Sequence, residues 1–292
     1  MWKIDGGQIA QRIIDNLKNQ PTPKKILAAV LAGENQASIS FLKQKEKIAQ
    51  ELGVDFRIYR FSTEIKNDDL RKEVLKIALL KKVGGMIVQL PLPEHINKHY
   101  ILNVIPREKD VDVLGERALG AFYCGRNPVL PPAVATLDEI LQTINCGLQT
   151  KKIAVVGAGF LIGKPIAVWL MDNKIKELKI FEKGSLPAQA GDLSGLKEYD
   201  LVISGVGQAG LIKPEMLKDE AGIIDFGYSI EEAGKLRGDF DVSQMSHAYR
   251  QAGDVKGQLS FYTPTPGGTG PILVAKLFEN FYNLNKDEKL IK

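Results

Sequence analysis

Strand-like apolar runs alternate with helical stretches along this chain, and the alternation occurs in two series. The strand-like runs of the first series are KILAAVLA (25–32), DFRIYRF (55–61) and GGMIVQL (84–90), and its helical stretches are 7–19, 38–52 and 67–82. Strands that alternate with helices pair in parallel through right-handed crossovers. The first series therefore predicts an α/β sandwich.

The second series begins at a glycine-rich turn. Prolines and glycines exclude long regular elements between 91 and 133, and a helix is expected from about 133 to 143. The strands expected after it are 152–157, 177–183, 199–206 and 221–227, and the last helix runs from about 271 to 284. Four short strands that open on a glycine-rich turn predict a Rossmann-like unit.

The predicted fold class is a two-domain α/β protein. We expect residues 1–135, completed by the C-terminal helix 271–292, to form one domain, and residues 136–270 to form the Rossmann-like, dinucleotide-binding one. A cleft between two such domains would suit a cofactor and a second substrate.

The charge and cysteine content exclude several classes of protein. The net charge is only +4 and basic residues are interspersed with acidic ones, which argues against a nucleic-acid partner. No apolar run approaches the roughly 20 residues of a membrane span, and no secretory signal is evident. Cys124 and Cys146 have no metal-ligand spacing and suggest no disulfide framework. We therefore expect a cytoplasmic protein with no membrane partner and no bound metal.

The glycine-rich stretch VVGAGFLIGKP indicates a bound dinucleotide. Its residues Gly157, Gly159 and Gly163 are spaced one residue wider than the usual fingerprint. Glu182 ends the next strand, close to where a Rossmann acid holds a ribose 2′-hydroxyl, and its charge would repel a 2′-phosphate. Lys183 beside it leaves NADP open, and Glu182 can also be read as a solvated charge at a strand end.

Side chains able to carry chemistry occur in the first domain. Ser38, Phe41 and Lys45 share one helical face, and Gln89 ends a buried strand, where α/β folds place ligand groups. A lysine in a cleft has a lowered pKa and can transfer protons. The ordinary alternatives are a surface lysine and a strand terminator.

Two loops carry further candidates. KDVD (109–112) offers a carboxylate, Asp112, that could accept hydrogen bonds from a heterocycle or could be a solvated loop charge. TPTPGGTGP (263–271) exposes backbone N–H groups before a helix, which suits an anion or a polarised carbonyl, although a tight domain-crossing turn would look the same.

These segments, in this order, resemble the methylenetetrahydrofolate dehydrogenase/methenyltetrahydrofolate cyclohydrolase family of bifunctional enzymes. The resemblance spans nearly the whole chain. The segments that carry it are ASISFLKQK (37–45), GGMIVQLPLPEHI (84–96), KDVD (109–112), VVGAGFLIGKP (155–165), YDLVISGVGQAGLI (199–212), IIDFG (223–227) and TPTPGGTGP (263–271). QLPLP and PGGTGP in this order are jointly highly specific.

The resemblance implies hydride transfer from 5,10-methylenetetrahydrofolate to NADP or NAD, then hydrolysis of the methenyl product to 10-formyltetrahydrofolate. It implies that Lys45 is the catalytic lysine, that Gln89 orients it and that Asp112 binds the pterin ring. The implied substrate-binding residues are Ser38, Phe41, Val88, Leu90, Pro266, Gly267, Gly268 and Gly270, and the implied cofactor-binding residues are Gly157, Ala158, Gly159, Gly163, Glu182, Lys183 and Tyr228. A homodimer formed through the nucleotide domain is also implied.

Several positions depart from the family pattern. Phe41 replaces a tyrosine, Val113 replaces a glycine, and Ala158-Gly159 replaces an Arg-Ser pair. The segments PVLPPA (128–133) and GPIL (270–273) lose further polar groups. The family implies NADP, whereas Ala158-Gly159 and Glu182 favour NAD.

Three other functions remain open at this point. One is an NAD-dependent dehydrogenase with weak or lost cyclohydrolase activity, a second is a folate-binding homologue without turnover, and a third is another two-domain dehydrogenase acting on amino or shikimate-like acids. Retention of Lys45, Gln89 and Asp112 favours the bifunctional enzyme over the first two, and QLPLP with PGGTGP argues against the third.

Overall fold

A computed structural model of the chain describes residues 2–182, 193–230, 236–242 and 259–286. The chain divides into two compact units. The N-terminal unit consists of Ala10–Pro132 and Val274–Lys292, and the Rossmann-like unit consists of Met1–Ile9 and Ala133–Leu273. The predicted two-domain α/β fold class is confirmed.

The N-terminal unit is built on three strands, β2 (Ile26–Ala32), β3 (Phe56–Phe61) and β4 (Val83–Val88), which form a parallel sheet in the order β3-β2-β4. Its helices include α2 (Gln36–Leu52), α3 (Asn67–Leu79) and, from Ala10 onward, α1 (Gly6–Lys18). Every residue of β2 and β4 is buried, as expected for strands covered on both faces. The predicted strands and helices of the first series are confirmed, with shifts of one to three residues at their ends.

Local signals explain the ends of α2. The Asn35 side chain accepts a hydrogen bond from the Ser38 backbone N–H at 2.9 Å, so the helix begins two residues before the predicted start. Gly53 ends the helix in the left-handed conformation, with φ of 66°, and such a C-terminal glycine avoids the steric cost of a side chain.

Only short elements fill the segment rich in proline and glycine. They are α4 (Lys98–Leu102), a 3₁₀ turn (Arg107–Lys109) and α5 (Glu116–Tyr123), and α6 (Pro132–Thr143) follows them. This agrees with the prediction that long regular elements are excluded there.

Among its described residues, the Rossmann-like unit contains the strands β1 (Trp2–Lys3), β5 (Lys152–Val156), β6 (Glu177–Phe181), β7 (Leu201–Ser204), β8 (Gly222–Asp225) and β11 (Phe261–Tyr262). They form a parallel six-stranded sheet in the order β1-β11-β8-β7-β5-β6. The strands β9 (Ser229–Ile230) and β10 (Leu236–Arg237) form a separate antiparallel pair. Helix α7 (Gly163–Asp172) follows β5, and helix α8 (Thr269–Leu284) begins in this unit and belongs to the N-terminal unit from Val274 onward. The sequence therefore predicted four strands of this sheet and missed two.

The two missed strands of the sheet are β1 and β11. Each has two residues, which is too short for any periodicity to appear in the sequence. β1 pairs in parallel with β11, so residues 1–9 belong to the Rossmann-like unit, whereas the predicted boundary grouped them with the first domain.

Within the described ranges, no helix is both long and apolar enough to span a membrane. The same ranges contain no cluster of three or more His, Cys, Asp or Glu side chains suited to a metal ion.

Candidate functional site

The predicted lysine and glutamine meet in the N-terminal unit. Lys45, on the buried face of α2, donates from Nζ to Oε1 of Gln89 at 3.0 Å. Gln89 follows β4 directly and continues its pairing, since its N–H donates to the carbonyl of Val30 at 2.9 Å. Both side chains are 8% exposed, so the pair is almost wholly removed from water.

A single backbone carbonyl sets the orientation of the Gln89 amide. The carbonyl oxygen of Leu90 accepts from Nε2 of Gln89 at 2.9 Å and from Oγ of Ser38 at 3.2 Å. Because the amide nitrogen is engaged there, the amide oxygen faces Lys45. Ser38, expected to bind substrate, is buried and uses its hydroxyl to support this arrangement.

Asp112 completes the charged group. Burial lowers the pKa of Lys45 below its ordinary value of 10.5, and the charge of Asp112 opposes this effect. Burial likewise raises the pKa of Asp112, and the charge of Lys45 opposes the rise. The charge of each group therefore affects the pKa of the other, and an amine with a lowered pKa accepts and returns a proton more readily than an ordinary lysine.

The second carboxylate of KDVD has a different environment. Asp110 is buried, and its Oδ2 accepts from the backbone N–H groups of Leu114 and Gly115 at 3.0 and 2.8 Å. Burial raises the pKa of Asp110 to about 7. Asp110 thus closes the turn that follows, while Asp112 is the carboxylate that interacts with Lys45.

Asn280 supports the same segment and was not predicted. Its Nδ2 donates to the carbonyls of Val111 and Leu130 at 2.9 and 2.8 Å. The one available signal was an asparagine within the apolar pattern of the last helix, where a buried amide requires partners.

Val113 occupies a backbone conformation that favours glycine. Its φ is 57° and its side chain is fully buried. For an L-residue this conformation costs about 1–2 kcal/mol. The turn between Asp112 and Gly115 therefore explains why the family pattern has glycine here and indicates that this chain carries strain beside its site.

We expect Val113→Gly to be more stable than Val113→Ala by about 1 kcal/mol, because glycine relieves the left-handed strain. This reverses the ordinary order, in which glycine is about 0.5–1 kcal/mol worse than alanine. Both variants should be less stable than the parent, since each loses a buried side chain worth about 2 kcal/mol. Urea denaturation of the three proteins measures the order, and an alanine variant more stable than the glycine variant would contradict the assignment of strain.

The other predicted residues of this unit differ in exposure. Phe41 lies half-buried on α2, one turn before Lys45. Val88 is buried inside β4, so its side chain belongs to the core, whereas Leu90 is half-buried.

In the Rossmann-like unit, the glycine-rich turn connects β5 to α7. Gly157 has φ of 90°, and a Cβ on Gly163 would overlap the carbonyl oxygen of Gly157. Gly159 is exposed, and the nearest atom to its Cβ position is the Gly205 oxygen at 3.9 Å. The fold therefore requires the outer two glycines, while the middle one leaves room for close approach of a ligand.

Glu182 lies beside this turn. The Gly157 N–H donates to the carbonyl of Phe181 at 2.7 Å, and Glu182 is the next residue, with an exposed side chain. Lys183 lies outside the described residues. The register of β5 and β6 thus brings the acidic residue next to the glycine turn, the position of the ribose-binding acid in Rossmann folds.

The loops after β5 and β7 flank a topological switch point. β5 lies between β6 and β7, so the chain first crosses from β5 to β6 on one side and then returns past β5 to β7 on the other side. Half-buried Ala158 belongs to the first loop. Half-buried Tyr228 follows β8, and its carbonyl lies 3.5 Å from the Cβ position of Gly207 in the second loop.

The TPTPGGTGP loop (263–271) lies in the Rossmann-like unit, which extends to Leu273. Its Thr263 and Thr269 hydroxyls hydrogen-bond the backbone N–H and carbonyl of Asp225 at 2.7 and 2.8 Å. Gly267, with φ of 95°, accepts at its carbonyl from the Gly6 N–H at 2.9 Å. A Cβ on Gly268 would overlap the Pro264 carbonyl.

The middle of this loop is accessible. Pro266 and Gly267 are exposed and Gly270 is half-buried. The structure therefore places the predicted residues in two groups, with the Lys45 group in one unit and the two glycine loops in the other.

Comparisons with known proteins cover almost the whole chain. The model of the tetrahydrofolate dehydrogenase/cyclohydrolase catalytic domain matches residues 4–112, and the model of that family's NAD(P)-binding domain matches residues 131–289. A relative in Hydrogenobaculum sp. (strain Y04AAS1), named bifunctional protein FolD, is 32% identical over 282 residues, which cover 95% of this chain and 96% of the relative.

Two solved structures have the same fold. The bifunctional FolD methylenetetrahydrofolate dehydrogenase/cyclohydrolase of Campylobacter jejuni is 29% identical with a TM-score of 0.86, and the match covers 97% of this chain and 98% of that one. The Trypanosoma brucei enzyme, solved with NADP and an inhibitor, is 25% identical with a TM-score of 0.85, covering 99% and 98%. The chain belongs to the tetrahydrofolate dehydrogenase/cyclohydrolase family.

Proposed function

We propose that this protein oxidises 5,10-methylenetetrahydrofolate to the 5,10-methenyl form with a nicotinamide dinucleotide and hydrolyses that product to 10-formyltetrahydrofolate. The observation that carries the proposal is the buried hydrogen bond from Lys45 to Gln89, with Asp112 electrostatically coupled to the same lysine. Family membership supports both reactions, and retention of this group favours the bifunctional enzyme over a dehydrogenase alone.

Hydrolysis requires one water and managed proton transfers. The methenyl carbon is already electrophilic, so water adds to it as Lys45 accepts a proton from that water. The C–N bond to one bridge nitrogen then breaks, Lys45 returns a proton to that nitrogen, and the hydroxyl proton leaves as the formyl C=O forms. The lowered pKa of Lys45 suits both transfers, and Gln89 holds the amine in place.

Phe41 does not interrupt this scheme. Its ring contributes no hydroxyl, so proton transfer depends on Lys45 and Gln89, and the half-buried aromatic face is available for stacking. Asp112 is proposed to accept hydrogen bonds from the pterin ring, with Val88 and Leu90 contributing backbone or apolar contacts.

The dinucleotide is proposed to bind the Rossmann-like unit at Gly157, Ala158, Gly159 and Gly163, with Tyr228 at the neighbouring loop. The open space at Gly159 and the start of α7 at Gly163 fit a pyrophosphate. When bound, the nicotinamide accepts the hydride that leaves the methylene bridge. Pro266, Gly267, Gly268 and Gly270 are proposed to line the substrate side.

Two absorbance assays on the purified protein test the function. One follows oxidation of methylenetetrahydrofolate with NAD or NADP, and the other follows loss of methenyltetrahydrofolate. Activity in both assays is expected. Activity in the first alone would replace the proposal with a monofunctional dehydrogenase, and activity in neither would leave a folate-binding homologue.

We further propose a preference for NAD over NADP. Glu182 follows β6 directly and stands beside the glycine turn, where its charge opposes a 2′-phosphate. The turn itself carries Ala158 and Gly159, which offer no guanidinium for that phosphate.

Glu182→Ala should lower the ratio of kcat/KM with NAD to kcat/KM with NADP by about tenfold or more, a change of about 1.4 kcal/mol. The loss of charge repulsion and of the ribose hydrogen bond act in the same direction. Glu182→Gln separates the two causes, because it removes the charge but keeps a hydrogen-bonding group. An unchanged ratio in both variants would refute the role of Glu182.

We also propose that the protein forms a homodimer through the Rossmann-like unit. Among the described residues β6 ends the sheet, and Ile180 on it is 39% exposed. Met171, at the end of α7, is 60% exposed. Sedimentation equilibrium should give twice the chain mass of 32.2 kDa, and a monomer at micromolar concentration would contradict the proposal.

A further inference from the structure

A buried carboxylate outside the proposed contact residues holds the loop that follows β7. Asp239 is fully buried, and it accepts three hydrogen bonds. Its Oδ2 accepts from Ser204 Oγ at 2.6 Å and from the Val206 N–H at 2.7 Å, and its Oδ1 accepts from the Gln208 N–H at 2.7 Å. One side chain thus fixes both the end of β7 and alternate N–H groups of the loop 205–208.

This loop packs directly against the glycine-rich turn. The Cβ position of Gly157 lies 3.0 Å from Cγ2 of Val206, and that of Gly205 lies 2.6 Å from Cγ2 of Ile162. A side chain on Gly205 would require Ile162 to move, and one on Gly157 would crowd Val206. The conformation of residues 205–208 therefore determines the shape of one side of the crevice between the loops that follow β5 and β7.

Asp239 is itself held firmly. The neighbouring Phe240 N–H donates to Asp225 Oδ2 at 2.9 Å, and Asp225 Oδ1 accepts from the Gly227 N–H at 2.6 Å. A Cβ on Gly227 would overlap the Asp239 carboxylate, and a Cβ on Gly238 would overlap that of Asp225. The segment around Asp239 therefore tolerates little movement, and the carboxylate has a defined place.

We propose that Asp239 is a positioning residue for the dinucleotide, acting through the loop 205–208. The proposal rests on the dinucleotide-binding function proposed above. The loop follows β7, on one side of β5, whereas Glu182 follows β6, on the other side of β5. A change at Asp239 should therefore weaken binding of NAD and NADP equally, unlike a change at Glu182.

Asp239→Asn is the direct test. Asparagine keeps the size, but its NH₂ group meets at least one of the three donors, so the loop loses part of its anchorage. We expect the Kd for NADH and for NADPH, measured by nucleotide fluorescence, to rise by about tenfold for each. Hydrolysis of methenyltetrahydrofolate, which consumes no dinucleotide and depends on Lys45 in the other unit, should change by less than about twofold.

Asp200→Asn is the matched control. Asp200 also accepts a backbone hydrogen bond, from the Lys152 N–H at 2.9 Å, but it precedes β7 and so lies at the other end of the strands. Its replacement should leave dinucleotide affinity unchanged.

A milder variant decides the question if Asp239→Asn fails to fold. Ser204→Ala removes one of the three hydrogen bonds and should raise both dissociation constants by about threefold with hydrolysis intact. Parent-like dinucleotide affinity in the folded variants, or an equal effect in the Asp200 control, would overturn the proposal. Failure of the parent protein to bind either dinucleotide would instead refute the proposed function.

Discussion

Replacing Lys45 with methionine is expected to abolish methenyl hydrolysis while dehydrogenase activity persists. Methionine preserves the length and apolar stem of the side chain but cannot transfer a proton. Loss of a positioned acid–base group typically lowers the rate by about 10²–10⁴-fold. Hydride transfer from the methylene bridge needs no proton from this amine, so the oxidation of methylenetetrahydrofolate should continue at a measurable rate.

The pH dependence of the hydrolysis rate tests the same prediction in a second way. Burial lowers the pKa of Lys45, so the neutral amine forms at a lower pH than that of an ordinary lysine, and hydrolysis by the parent should rise with pH as it forms. That rise should disappear in Lys45→Met.

An exposed lysine on the same helix supplies the control. Lys43 is two residues away and lies on the solvent-facing side of α2, so Lys43→Met should retain both activities. Hydrolysis unchanged in Lys45→Met would disprove the catalytic assignment of Lys45, and an equal loss in both variants would point to a general effect on the helix.

Gly163→Ala should destabilise the Rossmann-like unit and remove dinucleotide binding. The added Cβ would overlap the carbonyl oxygen of Gly157 and approach Ala158 Cα at 3.0 Å. Both obstacles are backbone, so the helix must move away from the strand rather than a side chain rotating. Overpacking of this kind costs about 1–3 kcal/mol, and backbone displacement places this site at the upper end.

Gly159→Ala is the control, because it adds the same methyl group to the same turn at a position where the protein leaves room for it. Its Cβ would have 3.9 Å to the nearest protein atom, so thermal unfolding should match that of the parent. A bound pyrophosphate at this turn would nevertheless meet the new methyl group, so the KM for the dinucleotide should rise. Equal thermal stability of the alanine variants at 163 and 159 would contradict the geometry described for the turn.

Much of the fold could be predicted from local sequence patterns. β2 and β4 are continuous apolar runs bounded by breakers, and their burial on both faces follows from that composition. β1 and β11 were missed because two residues show no periodicity and their pairing joins opposite ends of the chain.

The candidate site could be predicted from the sequence to a similar extent. Lys45, Gln89 and Asp112 lie in segments that resemble the family's motifs, so the resemblance singled them out as candidates. Asn280, which supports the Asp112 segment, and Asp239, in the Rossmann-like unit, were missed, because asparagine and aspartate are common in loops and caps and only burial distinguishes these two.

The sequence by itself determined the two α/β series, the glycine turn and the chemical groups available for proton transfer. These depend on residue type and on spacings of a few positions. Tertiary structure decided which carboxylate of KDVD closes a turn and which interacts with Lys45, and it made Asp239 the anchor of a loop. Those outcomes depend on hydrogen bonds such as the one from Ser204 to Asp239, 35 residues apart, and the one from Asn280 to Val111, 169 residues apart. Such partners are selected by burial, since a polar group removed from water must find a partner wherever the fold provides one.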